Sequence, residues 1–131
     1  MKLGGVLNHR LSTVIAEMGH TDGLTIADAG LPVPLAVERI DLAVSPGVPS
    51  FAQVLEAVAS ELKVEEIVIA REAFDRNPEF LATLERCFPN VPVSAVPHED
   101  FKALTRETRA VVRTGECTPY ANCILRSGVI F

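Results

Sequence analysis

The chain has 131 residues, of which 48% are hydrophobic and 22% charged, and 12 Lys and Arg against 17 Asp and Glu give a formal net charge of −5. This composition excludes a disordered chain, which would be poor in hydrophobic residues, and the length fits one compact domain over residues 1–131. The acidic charge, the single Tyr and the absence of Trp are also unlike a nucleic-acid-binding protein, which needs a basic surface and stacking side chains. We therefore expect no nucleic-acid partner.

Hydrophobic periodicity predicts helices that alternate with strands. Apolar residues recur every three or four positions in the helices and in continuous or alternating runs in the strands. In chain order the predicted elements are a helix (9–18), two strands (24–27 and 39–44), a helix (51–62), a strand (66–70), a helix (78–88), a strand (91–96), a helix (97–104) and two strands (110–113 and 124–131). Asn8 and Ser50 are typical N-caps, and we expect Gly19 to end the first helix in the left-handed conformation.

This order of elements favours a single three-layer α/β/α domain with a mostly parallel central sheet. Ligands of such sheets bind beyond the carboxyl ends of the strands, where the connecting loops converge. The loops after Ala27, Val96 and Arg113 are therefore the places to look for a site. The segment Ser127–Phe131 is apolar up to its last residue, and we expect it to be buried, either as the last strand or against a neighbouring copy.

Targeting and metal-binding features are absent from the sequence. No apolar run approaches the ~18 residues that a membrane-spanning helix needs, and residues 1–8 do not look like a signal peptide. The three cysteines, Cys87, Cys117 and Cys123, are odd in number and lack Cys-x-x-Cys spacing, which zinc and redox sites commonly show. We expect a cytoplasmic protein with reduced cysteines, no membrane partner and no bound metal.

Polar residues at strand and helix ends are the candidates for chemistry: His20 with Asp28, His98 with Glu99 and Asp100, and the loop 115–122 with Tyr120 and Asn122. No Gly-rich phosphate loop, His-Glu-x-x-His or Gly-x-Ser-x-Gly motif accompanies them. Each also has an ordinary structural alternative. His20 suits a helix C-terminus, Asp28 a turn and His98 a helix start, whereas Tyr120 and Asn122 suit a surface loop.

Six ordered blocks of the sequence carry a more specific signal. They are Met18–Asp22, Ile26–Pro32, Ile40–Ala43, Pro46–Phe51, Val96–Glu99 and Arg113–Asn122. With the chain length and the Gly128–Phe131 ending, these blocks resemble the RbsD/FucU family of sugar mutarotases over essentially the whole chain. The loops at residues 28–32 and 117–122 are similar to the branch of the family that acts on D-ribose, so L-fucose mutarotase is the second reading.

The resemblance implies an isomerase that interconverts the β-pyranose and β-furanose forms of D-ribose without a cofactor. It implies that the residue at His20 is the proton donor and that those at Asp28, His98, Tyr120 and Asn122 bind the sugar. It further implies a homo-oligomer, an octamer or decamer of stacked rings, with active sites at subunit contacts. A module that binds the sugar without changing its ring form is the alternative from another class.

Histidine suits this chemistry, because ring opening needs an acid and a base that both work near neutral pH. His20 follows a predicted helix C-terminus, where the helix dipole favours a cation, and His98 begins a helix, where it favours the neutral ring. We expect His20 to be the acid and His98 to accept a hydrogen bond from the sugar. Asp28 would accept from sugar hydroxyls or orient a histidine, and the amide of Asn122 can serve two adjacent hydroxyls.

Overall fold

A computed structural model describes residues 1–131 as six strands, five α-helices and one 3₁₀ segment. In chain order they are α1 (His9–Glu17), β1 (Gly23–Ala27), β2 (Glu38–Asp41), α2 (Phe51–Ala59), β3 (Val64–Ala70), α3 (Ala73–Arg76), α4 (Pro78–Cys87), β4 (Val93–Val96), α5 (His98–Leu104), the 3₁₀ segment (Thr105–Glu107), β5 (Ala110–Arg113) and β6 (Cys123–Ser127). Every predicted helix and strand is present, and the structure adds the single-turn helix α3 and the 3₁₀ segment.

The predicted helix starts are confirmed. The Asn8 side chain accepts a hydrogen bond from the Leu11 N–H, and Ser50 and Gln53 form a reciprocal capping box at the start of α2. Both devices satisfy backbone N–H groups that the first turn of a helix leaves unpaired.

The predicted end of the first helix is wrong in its detail. α1 ends at Glu17, and Met18 already has an extended backbone, so Gly19 does not act as a left-handed cap. The Gly19 N–H instead donates to Asp22 Oδ2 at 2.8 Å. The left-handed residue of this turn is Thr21, with φ 70°.

One mixed sheet runs through the molecule in the order β2-β5-β1-β6-β3-β4. β1 and β2 pair with β5 in parallel, and β3 pairs with β4 in parallel, whereas β6 lies between β1 and β3 and is antiparallel to both. Five strands therefore share one direction, which confirms the mostly parallel sheet. The sixth brings the segment before β6 to the edge at which the other five end.

Apolar side chains on the two faces of the sheet form two cores. The larger core joins strand residues such as Ile26 and Ile69 to buried positions of α1, α2 and α4. The smaller core joins the alternate strand residues, such as Val68 and Ile124, to Phe101 of α5. Because successive strand residues point to opposite faces, this division gives the three layers that the sequence predicts.

The last strand is shorter than predicted. β6 ends at Ser127, and Ile130 and Phe131 are exposed within the single chain. Burial of this tail as a sheet strand is therefore ruled out, and burial against a neighbouring copy stays a prediction. None of the helices combines the length and the apolar character needed to cross a membrane.

Candidate active site

A cleft of about 500 Å³ opens at the carboxyl edge of the five parallel strands. Its lining residues are Asp28, Gly30, Leu31, Pro32, Arg76, His98, Lys102, Pro119 and Tyr120. They come from the loop after β1, from α3, from α5 and from the loop before β6. The volume is in the range of small-molecule sites, and the cleft lies where ligands of open α/β sheets bind.

Asp28 is held at this edge by Asn122. The Asp28 N–H donates to Asn122 Oδ1 and Asn122 Nδ2 donates to Asp28 Oδ2, both at 2.8 Å. The other carboxylate oxygen accepts from the Gly30 N–H at 2.9 Å. The sheet register causes this pairing. Ile26 lies opposite Cys123 in antiparallel β6, so the end of β1, which leads into Asp28, lies beside Asn122, which precedes β6.

The burial of Asn122 changes the role expected for its amide. Asn122 has 0% of its surface exposed, and its side chain already contacts Asp28 through both the oxygen and the nitrogen. Within the chain the amide does not line the cleft, so it is not placed to serve two sugar hydroxyls. It is placed to fix the carboxylate of Asp28, which does line the cleft.

His98 is the first residue of α5 and is held through its backbone. Its N–H donates to the Glu72 carboxylate at 3.0 Å. Hydrogen bonds from the Glu72 backbone N–H and from the His98 N–H hold the pKa of the Glu72 carboxyl below its usual range. The His98 ring meets the Tyr120 ring edge to face, with centroids 5.1 Å apart.

The two ring nitrogens of His98 differ in their surroundings. Nδ1 is the one buried side-chain polar atom of the chain without a hydrogen-bond partner. Nε2 has no partner within the chain either, but it is not buried, and the residue lines the cleft. Nε2 is thus the atom through which His98 can contact a ligand.

Tyr120 lies in the turn before β6 with a left-handed backbone, φ 60°. A non-glycine residue in this region is uncommon, and such strain concentrates at functional sites. Neighbouring contacts hold the turn, since Asn77 Nδ2 donates to Pro119 O at 3.0 Å and the Asn122 N–H donates to Tyr120 O at 2.9 Å. The Tyr120 hydroxyl makes no hydrogen bond within the chain and remains free for a ligand.

Polar contacts also fix the first half of the loop between β5 and β6. Thr114 Oγ1 donates to Ala27 O at 2.8 Å, and Glu116 Oε2 accepts from the Phe51 N–H at the start of α2 at 3.0 Å. Gly115 packs so closely that a Cβ there would lie 2.5 Å from Val48 O. These contacts explain the Thr-Gly-Glu segment as a support for the cleft.

His20 lies at the opposite edge of the sheet. It precedes β1, whereas Asp28 follows it, and five strand residues at about 3.3 Å each separate the two edges by roughly 16 Å. The His20 side chain is 54% exposed, and its Nε2 contacts the carboxylate of Glu65 at 2.9 Å. A single chain therefore brings Asp28, His98 and Tyr120 together and does not bring His20 to them.

Three charged residues near these groups were missed from the sequence. Lys102 lies one helical turn after His98, so the four-residue spacing would have placed both on one face of α5. Arg76 of α3 lines the same cleft, and Glu65 of β3 contacts His20. No local pattern marks these last two, since only the tertiary fold brings them to the candidate residues. No group of three or more His, Cys, Asp or Glu side chains is placed to hold a metal ion.

Together, the mixed sheet and the polar cleft at its carboxyl edge define an α/β protein with a small-molecule site. The model of the family described as "RbsD / FucU transport protein family" matches residues 1–130. A D-ribose pyranase of Geobacillus kaustophilus (strain HTA426) is 53% identical over 131 residues, which are 100% of this chain and 96% of that protein. The chain belongs to the RbsD/FucU family, as its sequence blocks predict.

Solved structures agree with this assignment. Bacillus subtilis RbsD, solved in complex with D-ribose, matches 100% of both chains with a TM-score of 0.96 and 47% sequence identity. The fucose mutarotase of Streptococcus pneumoniae, solved with L-fucose, matches 95% of each chain with a TM-score of 0.81 and 23% identity. At that identity the second match shows a shared fold alone.

Proposed function

We propose that this protein is a D-ribose pyranase, which interconverts the β-pyranose and β-furanose forms of D-ribose. Two curated relatives that are 53% identical to this chain over its whole length carry that name. The solved relative at 47% identity was complexed with the sugar. The observation that carries the proposal is the convergence of Asp28, His98 and Tyr120 on one cleft. These side chains offer a carboxylate, a ring nitrogen and a hydroxyl, which suit a neutral polyol.

The reaction is a sequence of proton transfers. In the pyranose, the anomeric hydroxyl gives up a proton, the bond from C1 to the ring oxygen breaks, and that oxygen gains a proton. The open-chain aldehyde then closes when the hydroxyl on C4 adds to C1, loses its proton, and the aldehyde oxygen gains one. Each step needs one acid and one base, and none needs an electron carrier or a nucleophilic side chain, so we propose that no cofactor takes part.

We propose that His20 of one copy completes the cleft of another. His20 is, with His98, one of the two residues of the set that suit proton donation near neutral pH, and it is exposed at the edge opposite the cleft. A sugar held by Asp28, His98 and Tyr120 within one chain is out of its reach. A contact between the cleft edge of one copy and the His20 edge of the next would unite all four groups.

The surface around His20 supports such a contact. Both chain termini lie near the connection from α2 to β3, because Lys2 pairs with Glu61 and the Gly128 N–H donates to Lys63 O. The exposed apolar side chains of these termini are Met1, Leu3, Leu7, Ile130 and Phe131. Apolar surface exposed in this way is typical of an interaction site.

A contact between two different edges is heterologous, and it closes into a ring when the rotation between copies permits. We therefore propose a ring-shaped homo-oligomer, for which the octamer and the decamer stay predictions. We also propose a cytoplasmic location, because all three cysteines are free and oxidising compartments favour disulfides.

The proposed activity is tested by magnetisation-transfer NMR on ribose at equilibrium. The parent protein is expected to raise the exchange rate between pyranose and furanose signals in proportion to its concentration. A sugar-binding module would shift or broaden the signals of bound ribose without raising this rate. Exchange measured with L-fucose in parallel separates the two branches of the family, and exchange faster with fucose than with ribose would contradict the proposal.

The contact between Asn122 and Asp28 predicts a binding defect. Asn122→Ala removes the hydrogen bond to the Asp28 carboxylate and the one from the Asp28 backbone N–H. The apparent KM for ribose should rise about tenfold, which corresponds to the free energy of one hydrogen bond to a charged group. Because Asn122 is buried, the free energy of unfolding should also fall by about 1–3 kcal/mol. Glu85→Ala, at an exposed position of α4, is the control. An unchanged KM in folded Asn122→Ala would show that Asp28 does not depend on this amide.

A further inference from the structure

The turn that carries His20 is held in place although the imidazole is exposed. Asp22 Oδ2 accepts from the Gly19 N–H at 2.8 Å, and the Thr21 N–H donates to Ser127 O at 2.8 Å. Thr21 has the left-handed backbone, φ 70°, which costs free energy for a β-branched residue. These contacts fix the backbone on both sides of His20, so its side chain starts from a defined position.

Glu65 fixes the imidazole itself. Its two carboxylate oxygens lie 3.0 and 2.9 Å from His20 Nε2. The residue at 128 is a glycine, and a Cβ there would lie 3.2 Å from the Glu65 Cβ and 3.4 Å from Oε2. Gly128 therefore leaves the space that the Glu65 side chain occupies beneath the His20 turn.

This contact decides which ring nitrogen is available. A carboxylate can only accept hydrogen bonds, so Nε2 must carry a proton when it contacts Glu65. Nδ1 makes no hydrogen bond within the chain, and the residue is exposed. In the neutral ring Nδ1 is then an acceptor, and in the cationic ring it is a donor, so the same atom can take up and return a proton.

We propose that Glu65 is a positioning residue that holds His20 as the Nε2–H tautomer and directs Nδ1 to the sugar. The inference rests on the proposed function and extends it, since it names the reacting atom and the group that selects it. Other charged groups of the turn are already engaged. Asp22 pairs with Arg109 at 3.3 Å, which leaves Glu65 as the carboxylate that contacts the ring.

The first readout is the tautomer, measured by ¹⁵N NMR of the ring nitrogens at a pH where His20 is neutral. The chain has three histidines, and the His20 signals are identified by their loss in His20→Asn. The parent should show the Nε2–H form as the main tautomer. Neutral histidine in water already favours Nε2–H and keeps a minor share of Nδ1–H, so Glu65→Leu should show a larger share of Nδ1–H than the parent. The control Glu66→Gln, which alters the neighbouring carboxylate on β3, should keep the parent's ratio. A main Nδ1–H tautomer in the parent, or the parent's ratio in Glu65→Leu, would overturn the inference.

The second readout is the ring-exchange rate at saturating ribose. Loss of a group that orients a histidine typically lowers activity by about 10–100-fold, so Glu65→Leu should lose that much kcat with KM little changed. Glu65→Gln keeps an oxygen that can accept from Nε2 and should retain more kcat than Glu65→Leu. If Glu65→Leu kept the kcat of the parent, the role of Glu65 would be refuted. If the parent showed no ring exchange, the proposed function would be refuted, but the tautomer could still be measured and interpreted.

Discussion

Replacement of His20 by Asn should lower the rate of ribose ring exchange by about 10²–10⁴-fold, which is the usual contribution of a positioned acid or base. The amide can form hydrogen bonds but cannot donate and recover a proton near neutral pH. Ribose binding should change far less, because Asp28, His98 and Tyr120 line the cleft without His20. Magnetisation-transfer NMR gives the rate, and isothermal titration with ribose gives the affinity.

His9→Asn is the matched control for this experiment. His9 is the first residue of α1 and is exposed; its side chain makes no hydrogen bond within the chain, and it is not among the residues that line the cleft. The control should exchange ribose at the parent rate and unfold at the parent temperature. A His20→Asn protein with the parent rate between pH 5 and 8 would show that another group supplies the proton.

The local features of the fold could be predicted because they depend on short stretches of sequence. Asn8 and Ser50 satisfy N–H groups within the next three residues. The apolar runs of β1 and β5 predict buried strands whatever position those strands take in the sheet. The direction of β6 could not be predicted in this way. A short apolar strand can pair in parallel or antiparallel, and its neighbours in the folded sheet determine which of the two forms. That direction places residues 114–122 beside Asp28.

The site could be predicted in part for the same reason. The loop positions of Asp28, His98 and Tyr120 follow from the rule that strand carboxyl ends meet at one edge. The pairing of Asp28 with Asn122 joins residues 94 positions apart, so it depends on the order of strands in the sheet. The contact between His20 and Glu65 spans 45 positions and has no local signature.

A shared active site makes a prediction that no single variant can test. His20→Asn chains keep an intact cleft, and His98→Gln chains keep an intact His20 edge. The two proteins are refolded together in equal amounts and assayed at a ribose concentration too low to occupy the His98→Gln cleft. A random heterologous ring then pairs an intact cleft with an intact His20 at about one contact in four. Ring exchange should therefore recover to about a quarter of the parent rate, measured by the same NMR experiment.

The matched controls are each variant refolded alone and the two variants mixed after refolding without exchange of subunits. Neither should gain activity, because every contact in them lacks either the cleft histidine or His20. If each site were contained within one chain, co-refolding would yield no active site at any ratio. Recovery that peaks at equal amounts and falls toward either pure variant is the expected signature of a cleft completed by its neighbour. A flat, inactive series would mean that His20 of one copy does not serve the cleft of another.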